Sequence, residues 1–224
     1  NAVYVLTGPG GMGKSMLLAN WIDRRRGDAR GRQDTTYHFR FVGQSSSLTR
    51  IDDLLYSLLD ELQRVAGKIP ADREIPRDPV KLRKVWREEL KSLSQQGPTI
   101  IVIDGINQFQ NGLEDVGWLP LQGLPKNVRL VVSFRVDEDD QATQRLVERL
   151  SRNHQVHLAE VRPFRDAEDR RRLVNAYLLE YLKELDDPLV EDLIELAGAE
   201  NPLFLKIVLS ELRVFGAYAQ LSER

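Results

Sequence analysis

The chain has 224 residues, enough for one large domain or for a domain with a small companion, and no cysteine, which excludes disulfide frameworks, thiolate nucleophiles and Cys-ligated zinc. Lys and Arg number 32 against 34 Asp and Glu, a net charge of −2 that argues against a dedicated nucleic-acid binder. Hydrophobic residues at 42% and charged residues at 29% fit a globular chain, and no apolar run approaches the ~18 residues of a membrane span.

Asn1 is followed at once by an apolar run, with no basic stretch and no cleavage site. No signal peptide is therefore expected, and the chain reads as a piece of a longer protein. Ala2–Leu6 is β-prone, and Met16–Arg26 reads as a helix. Arg24–Arg32 is arginine-rich but interrupted by Asp28, so it reads as a solvated helix end and loop. Thr36–Val42, aromatic and β-branched, predicts a strand. Ile51, Leu54, Leu55, Leu58, Leu59, Leu62 and Val65 recur at helical spacing, and Thr49 with Asp52 reads as a capping box. Lys68–Arg77 reads as a loop, after which Asp78-Pro79 supplies an N-cap and an N1 proline for a helix to about Ser94.

Thr99–Ile103 and Val128–Phe134 are apolar on both faces, as buried parallel strands are. Gln141–Leu150 reads as a helix and Val156–Leu158 as a weak fifth strand. Strands alternating with helices imply βαβ units. Beyond Pro163 only helical periodicity remains, over Asp166–Leu185, Pro188–Leu196, Pro202–Phe215 and Ala217–Ser222. The expected architecture is a three-layer αβα domain over residues 1–162, with a central five-stranded, mainly parallel sheet. A small helical domain is expected over 163–224.

Gly8-Pro9-Gly10-Gly11-Met12-Gly13-Lys14-Ser15 matches G-x-x-x-x-G-K-[ST] in full, between a strand and a helix. Glycines let successive backbone N–H groups converge on an anion, and the following helix, entered through Met16, adds its N-terminal dipole. Lys14 offers a point charge to β- and γ-phosphates, and the Ser15 hydroxyl is a Mg²⁺ ligand type. Nucleotide binding within a P-loop NTPase fold of the AAA+/ASCE type is the expectation.

Ile100-Ile101-Val102-Ile103-Asp104 is an apolar strand ending in a carboxylate, the pattern of a Walker B acid that holds Mg²⁺. Many ATPases follow it with a Glu that activates water, but here Gly105-Ile106-Asn107-Gln108 follows. Gln108 can orient a water and cannot take its proton, so slow hydrolysis is expected. Ser92-Leu93-Ser94-Gln95-Gln96-Gly97 superficially resembles an ABC-transporter signature, but it abuts the strand and reads as a helix end and turn. The helical tail suggests neither the lid nor the acceptor pocket of a small-molecule kinase. Ser133-Phe134-Arg135 closes the next strand, from which Arg135 can reach a γ-phosphate or can pair with the acids of Asp137–Asp140.

In order along the chain, Gly8–Ser15, Ile100–Asp104 with Gly105, Ser133–Arg135 and Asn201-Pro202-Leu203 resemble the motifs of STAND-class signalling NTPases, which include NACHT and NB-ARC modules. Tyr37–Ser47, Trp118-Leu119-Pro120 with Leu124-Pro125, and Asn201–Gly216 look closer to the nephrocystin-3 and telomerase-associated NACHT subgroup. The resemblance implies ATP or ADP with Mg²⁺ as cofactors, Asp104 as Walker B acid, Arg135 as sensor arginine and Pro202 against the adenine. It also implies a cytoplasmic switch whose NTPase domain self-associates, with effector and sensor domains outside this chain and no direct contact with nucleic acid or membrane. Asn107 and Gln108 stand where many NACHT proteins carry Asp and Glu, which points again to slow turnover. An AAA+ remodelling or loading ATPase, and an interaction scaffold with a vestigial site, are the alternatives. His38 reads as a packed or hydrogen-bonded core residue, and His154 and His157 show no metal spacing.

Overall fold

The computed structural model describes residues 2–27, 35–43, 48–68, 75–110, 113–137 and 139–214. Five strands, β1 (Ala2–Thr7), β2 (Thr36–Phe41), β3 (Thr99–Asp104), β4 (Val128–Ser133) and β5 (Val156–Glu160), form one sheet in the order β2-β3-β4-β1-β5. Every pairing is parallel. The first strand is therefore flanked by the last two, and β4 stands between it and β3.

The side-chain alternation of the strands decides the layers. Val3 and Val5 of β1, Ile101 and Ile103 of β3, and Val128, Leu130 and Val132 of β4 point to the large core. That core is filled by α2 (Ile51–Val65), α3 (Pro79–Ser92) and α4 (Gln141–Ser151), with Trp86 and Trp118 fully buried in it. The alternate positions Leu6, Ile100, Val102 and Val131 face α1 (Lys14–Gly27), packing with Leu18, Trp21 and Ile22. This is a three-layer αβα sandwich, as the alternating pattern predicts. Edge strand β5 is the least buried of the five, in keeping with its weak sequence signal.

Two helix ends differ from expectation. The N-cap of α2 is Arg50, with no side-chain cap bond. Thr49 lies one residue too early to cap: its carbonyl and hydroxyl instead accept hydrogen bonds from the backbone and side-chain amides of Gln110 at 2.9 and 3.3 Å. The helix expected over Asp166–Leu185 is shorter, running as α5 over Ala167–Leu179 with Asp166 as its cap. Leu182 turns left-handed at φ +53, the Lys183 amide reaches the Leu178 carbonyl and the Leu182 amide the Leu179 carbonyl. That Schellman pair closes the helix although the apolar periodicity continues.

The chain divides into two compact units. The first is Asn1–Gly8 with Lys14–Glu160. The second takes the turn Pro9–Gly13 together with the chain from Val161 onward. In the second unit α5, α6 (Asp187–Glu195) and α7 (Pro202–Val214) enclose a separate core of Val174, Leu178, Val190, Leu193, Ile194, Ala199, Leu205 and Leu209. The expected helix Ala217–Ser222, Phe215, residues 28–32 of the arginine-rich stretch and Gln44–Ser47 lie outside the described residues.

Candidate functional site

All strands run the same way, so their C-terminal ends share one edge, where parallel α/β sheets present their ligand-binding loops. Gly8 follows β1, Asp104 ends β3 and Arg135 lies two residues past β4. The Gly8 carbonyl accepts hydrogen bonds from Lys14 Nζ at 2.7 Å and from the Val136 amide at 3.1 Å. The base of the loop is thereby tied to the segment that carries Arg135. Lys14 opens α1 and is partly buried, and Ser15 and Met16 follow it on exposed positions.

Within the turn, Gly11 at φ +79 and Gly13 at φ +81 occupy the left-handed region that L side chains resist. A Cβ at Gly13 would meet nothing, so its requirement is conformational alone. A Cβ at Gly11 would lie 2.6 Å from Asn201 Oδ1, so that residue must be small as well. Met12 is buried, at 7% exposure. Pro9 and Gly10 complete the turn, and the Gly10 carbonyl accepts Asn201 Nδ2 at 3.1 Å. Pro202 is the first residue of α7, next to Asn201.

Asp104 is buried, at 4% exposure, and its Oδ1 accepts the hydroxyl of Ser133, itself buried. The Ser133 Oγ in turn accepts the Gly105 amide at 3.0 Å. Oδ1 is thus engaged, and Oδ2 is the oxygen Asp104 can offer to a cation. Asn107 Oδ1 accepts the Arg135 amide at 3.0 Å, and Arg135 Nε is paired with Asp137 at 2.7 Å. Asp140 caps α4, accepting the amides of Ala142 and Thr143.

Electrostatics draw these residues into one group. Burial lowers the Lys14 pKa from its ordinary 10.5; Asp104 pulls it up, Arg135 pushes it down and Asp137 pulls it up. Asp104 and Arg135, expected beside Lys14 from sequence, thus both act on its ammonium group. Gln108 sits in a single 3-10 turn, Ile106–Gln108, with its amide over Gly43 and Gly105 at the ends of β2 and β3. That places it on the side of β3 away from β4. The pairing of Arg135 with Asp137 is one of the two outcomes the sequence allows, whereas the bond from Ser133 to Asp104 and the Asn201 contact with Gly10 are not legible from it. Ser133 had one available signal: Ile103 pairs with Val132, so the next residues, Asp104 and Ser133, face each other. His38 is buried, with Nδ1 at 2.8 Å from Glu61 Oε1, a hydrogen-bonded core residue as expected.

A Gly-rich loop ending in Lys-Ser after the strand flanked by the last two, with an acid at the end of β3, is the arrangement of a P-loop NTPase, a nucleotide-binding module. Structural neighbours agree on the fold. A Walker-type ATPase of Pyrococcus abyssi superposes with a TM-score of 0.65 at 17% identity, covering 99% of this chain and 65% of that one. The Aeropyrum pernix ORC1 protein, solved in complex with DNA, gives 0.54 at 17% identity over 96% of this chain and 56% of that one. Residues 1–135 match the family described as nephrocystin 3, N-terminal, and the chain belongs to that family. Nephrocystin-3 of Homo sapiens is 33% identical over 59% of this chain and 10% of its own length. A TPR repeat-containing protein of Dictyostelium discoideum is 24% identical over 99% of this chain and 15% of its own. Telomerase protein component 1 of Mus musculus is 25% identical over 98% of this chain and 8% of its own. The chain thus spans a small part of the curated relatives it matches.

Proposed function

We propose that this chain is the ATP/ADP-binding, slowly hydrolysing switch module of a larger STAND/NACHT-type signalling protein. The observation that carries the reading is the grouping of Lys14, Asp104 and Arg135 beside a Gly8–Ser15 loop whose glycines take left-handed conformations. The donor set fits a nucleotide with Mg²⁺. Lys14 would meet β- and γ-phosphates, and the exposed Ser15 hydroxyl and Asp104 Oδ2 would hold the cation. The cation, when bound, neutralises charge on the phosphate oxygens. Arg135 would exchange Asp137 for a γ-phosphate, and Pro202 would lie against the base. Gln108 lies on the β2 side of β3 and Asp104 is followed by Gly105-Ile106-Asn107-Gln108 with no Glu to take a proton from water, so turnover would be slow and suited to a switch. In the full protein the ATP state would favour self-association through residues 1–162, with 163–224 as the helical domain that follows the nucleotide. Effector and sensor domains would lie outside this chain, and a cytoplasmic setting follows from the same reading. Among the described residues no helix is long and apolar enough to cross a membrane.

Heat-denaturing the purified protein and chromatographing the supernatant should release ATP or ADP, and Lys14→Ala should abolish its retention. Equal retention by Lys14→Ala would overturn the assignment. Asp104→Asn should remove the Mg²⁺ dependence of binding. The fold shared with the ORC1 protein favours a second reading, an AAA+ loading ATPase. Turnover of several per second by the isolated module would select it over the switch.

A further inference from the structure

Asn201 does two things at once. Its Oδ1 accepts the amides of Leu203 at 2.9 Å and Phe204 at 3.4 Å, and its own carbonyl accepts the Leu205 amide at 3.2 Å, so it is the N-cap of α7. Its Nδ2 faces the other way and donates to the Gly10 carbonyl at 3.1 Å. The Leu203 amide also reaches the Gly11 carbonyl at 3.2 Å. The first turn of α7 therefore holds two successive carbonyls of the phosphate-loop turn.

The mount is stiff. The Asn201 amide donates to the Gly198 carbonyl at 2.9 Å, and the neighbouring Glu200 carbonyl accepts the Phe164 amide at 2.8 Å. Asn201 fills the space a Cβ at Gly11 would need, so the contact is close as well as directional. The turn Pro9–Gly13 and the helices belong to the same compact unit.

Peptide geometry gives the contact its chemical meaning. In a trans peptide the C=O and the following N–H point in opposite directions. Pinning the Gly10 carbonyl onto Asn201 turns the Gly11 N–H away from α7. Pinning the Gly11 carbonyl onto Leu203 does the same for the Met12 N–H. These are amides of the kind a Gly-rich loop offers to an anion.

We propose that Asn201 is a positioning residue for the phosphate loop: through the Gly10 carbonyl it aims the Gly11 amide at a bound nucleoside di- or triphosphate, beside the Met12 amide that the Leu203 N–H aims, so that one side chain starts α7 and sets one arm of the anion cradle. The proposal rests on the nucleotide-binding reading above. It differs from a capping role in one respect, because a cap needs only the oxygen and the cradle needs the amide nitrogen.

Substitution can separate the two. Asn201→Ser keeps a good N-cap and is too short to donate to Gly10. In the 224-residue chain, we expect the nucleotide-free protein to melt within a degree or two of wild type. Fluorescent ADP should leave about tenfold faster, the effect of losing one hydrogen bond that fixes charged-ligand donors. Hydrogen exchange at residues 10–13 should quicken, while residues 205–212 of α7 stay protected. Should Asn201→Ser lower the melting point, Asn201→Asp, a strong cap that also lacks the donor, should restore it without restoring loop protection. Wild-type release and exchange rates in the Ser variant would overturn the proposal while leaving nucleotide binding intact. Failure of the wild-type chain to bind ATP or ADP would overturn the functional reading, and this proposal with it.

Discussion

Lys14 carries an ammonium group in a place that partly resents it. Burial lowers its pKa, and the Asp104 and Asp137 carboxylates return only part of what burial and Arg135 take away. A bound phosphate would favour the charged form, so the pKa in the complex lies above that of the empty site. Between those two values binding takes up a proton, and affinity falls as pH rises through the window. Titration calorimetry over a series of pH values below the ordinary 10.5, in two buffers of different ionisation enthalpy, should report this uptake, and Lys14→Met should remove it. Folding is linked to the same proton. A lysine whose folded pKa is depressed binds fewer protons folded than unfolded, so its contribution to stability improves with rising pH. The roles proposed for Lys14, Ser15 and Asp104 are readable from residue type and spacing because phosphate and cation binding call for those chemical groups. Ser133 and Asn201 are not readable that way. Each acts through a contact 29 or 191 residues distant in sequence, which only the sheet register or the packing of a turn reveals.

At the scale of elements, β2 is fastened to α2 by charge as well as by apolar packing. Glu61 on α2 meets His38 Nδ1 at 2.8 Å and the Arg40 guanidinium at 2.6 Å, and Arg40 Nε also donates to Ser57 Oγ at 3.1 Å. Burial pushes the Glu61 pKa up, but the hydrogen bonds from His38 and Arg40, with the Arg40 charge, outweigh it and hold the group below its ordinary 4.5. The stability this supplies is full above the ordinary carboxylate value and fades as pH falls through the lower folded one. Glu61→Gln should cost about 1–3 kcal/mol at pH 7. Urea denaturation should show the gap to wild type closing as the solution is taken below that folded value. The end of α5 offers the opposite kind of change. Leu182 holds a left-handed conformation at φ +53 while 92% exposed, so a glycine there would lose no packing. Leu182→Gly should raise the unfolding free energy by about 1 kcal/mol, read from the same denaturation midpoint. The overextended sequence reading of α5 has this cause: apolar periodicity continues to Leu185, whereas termination is decided by one backbone conformation. By contrast the body of α2 is legible, because apolar residues at helical spacing from Ile51 to Leu62 leave no other face to bury, although its N-cap is Arg50 and not Thr49.

At the scale of the molecule, the layers follow from alternation along the strands, and strand order does not. Nothing in the composition of β1 says that its neighbours are β4 and β5. That order nevertheless has a consequence for how the chain is made. Ala2 pairs with Arg129 and Val3 with Val156, so the first of these five strands to be synthesised finds its partners last. A nascent chain emerged as far as residue 110 can already join β2 to β3, whose register closes within it. It holds Val3 and Val5 with no neighbouring strand on either side. Contacts of such sequence separation form slowly and leave apolar strand exposed in the interval. The half-synthesised module is thus the state most in need of chaperone cover. The loop that will receive the nucleotide hangs from that waiting strand, so the ligand cannot serve as a template until residue 160 has been translated.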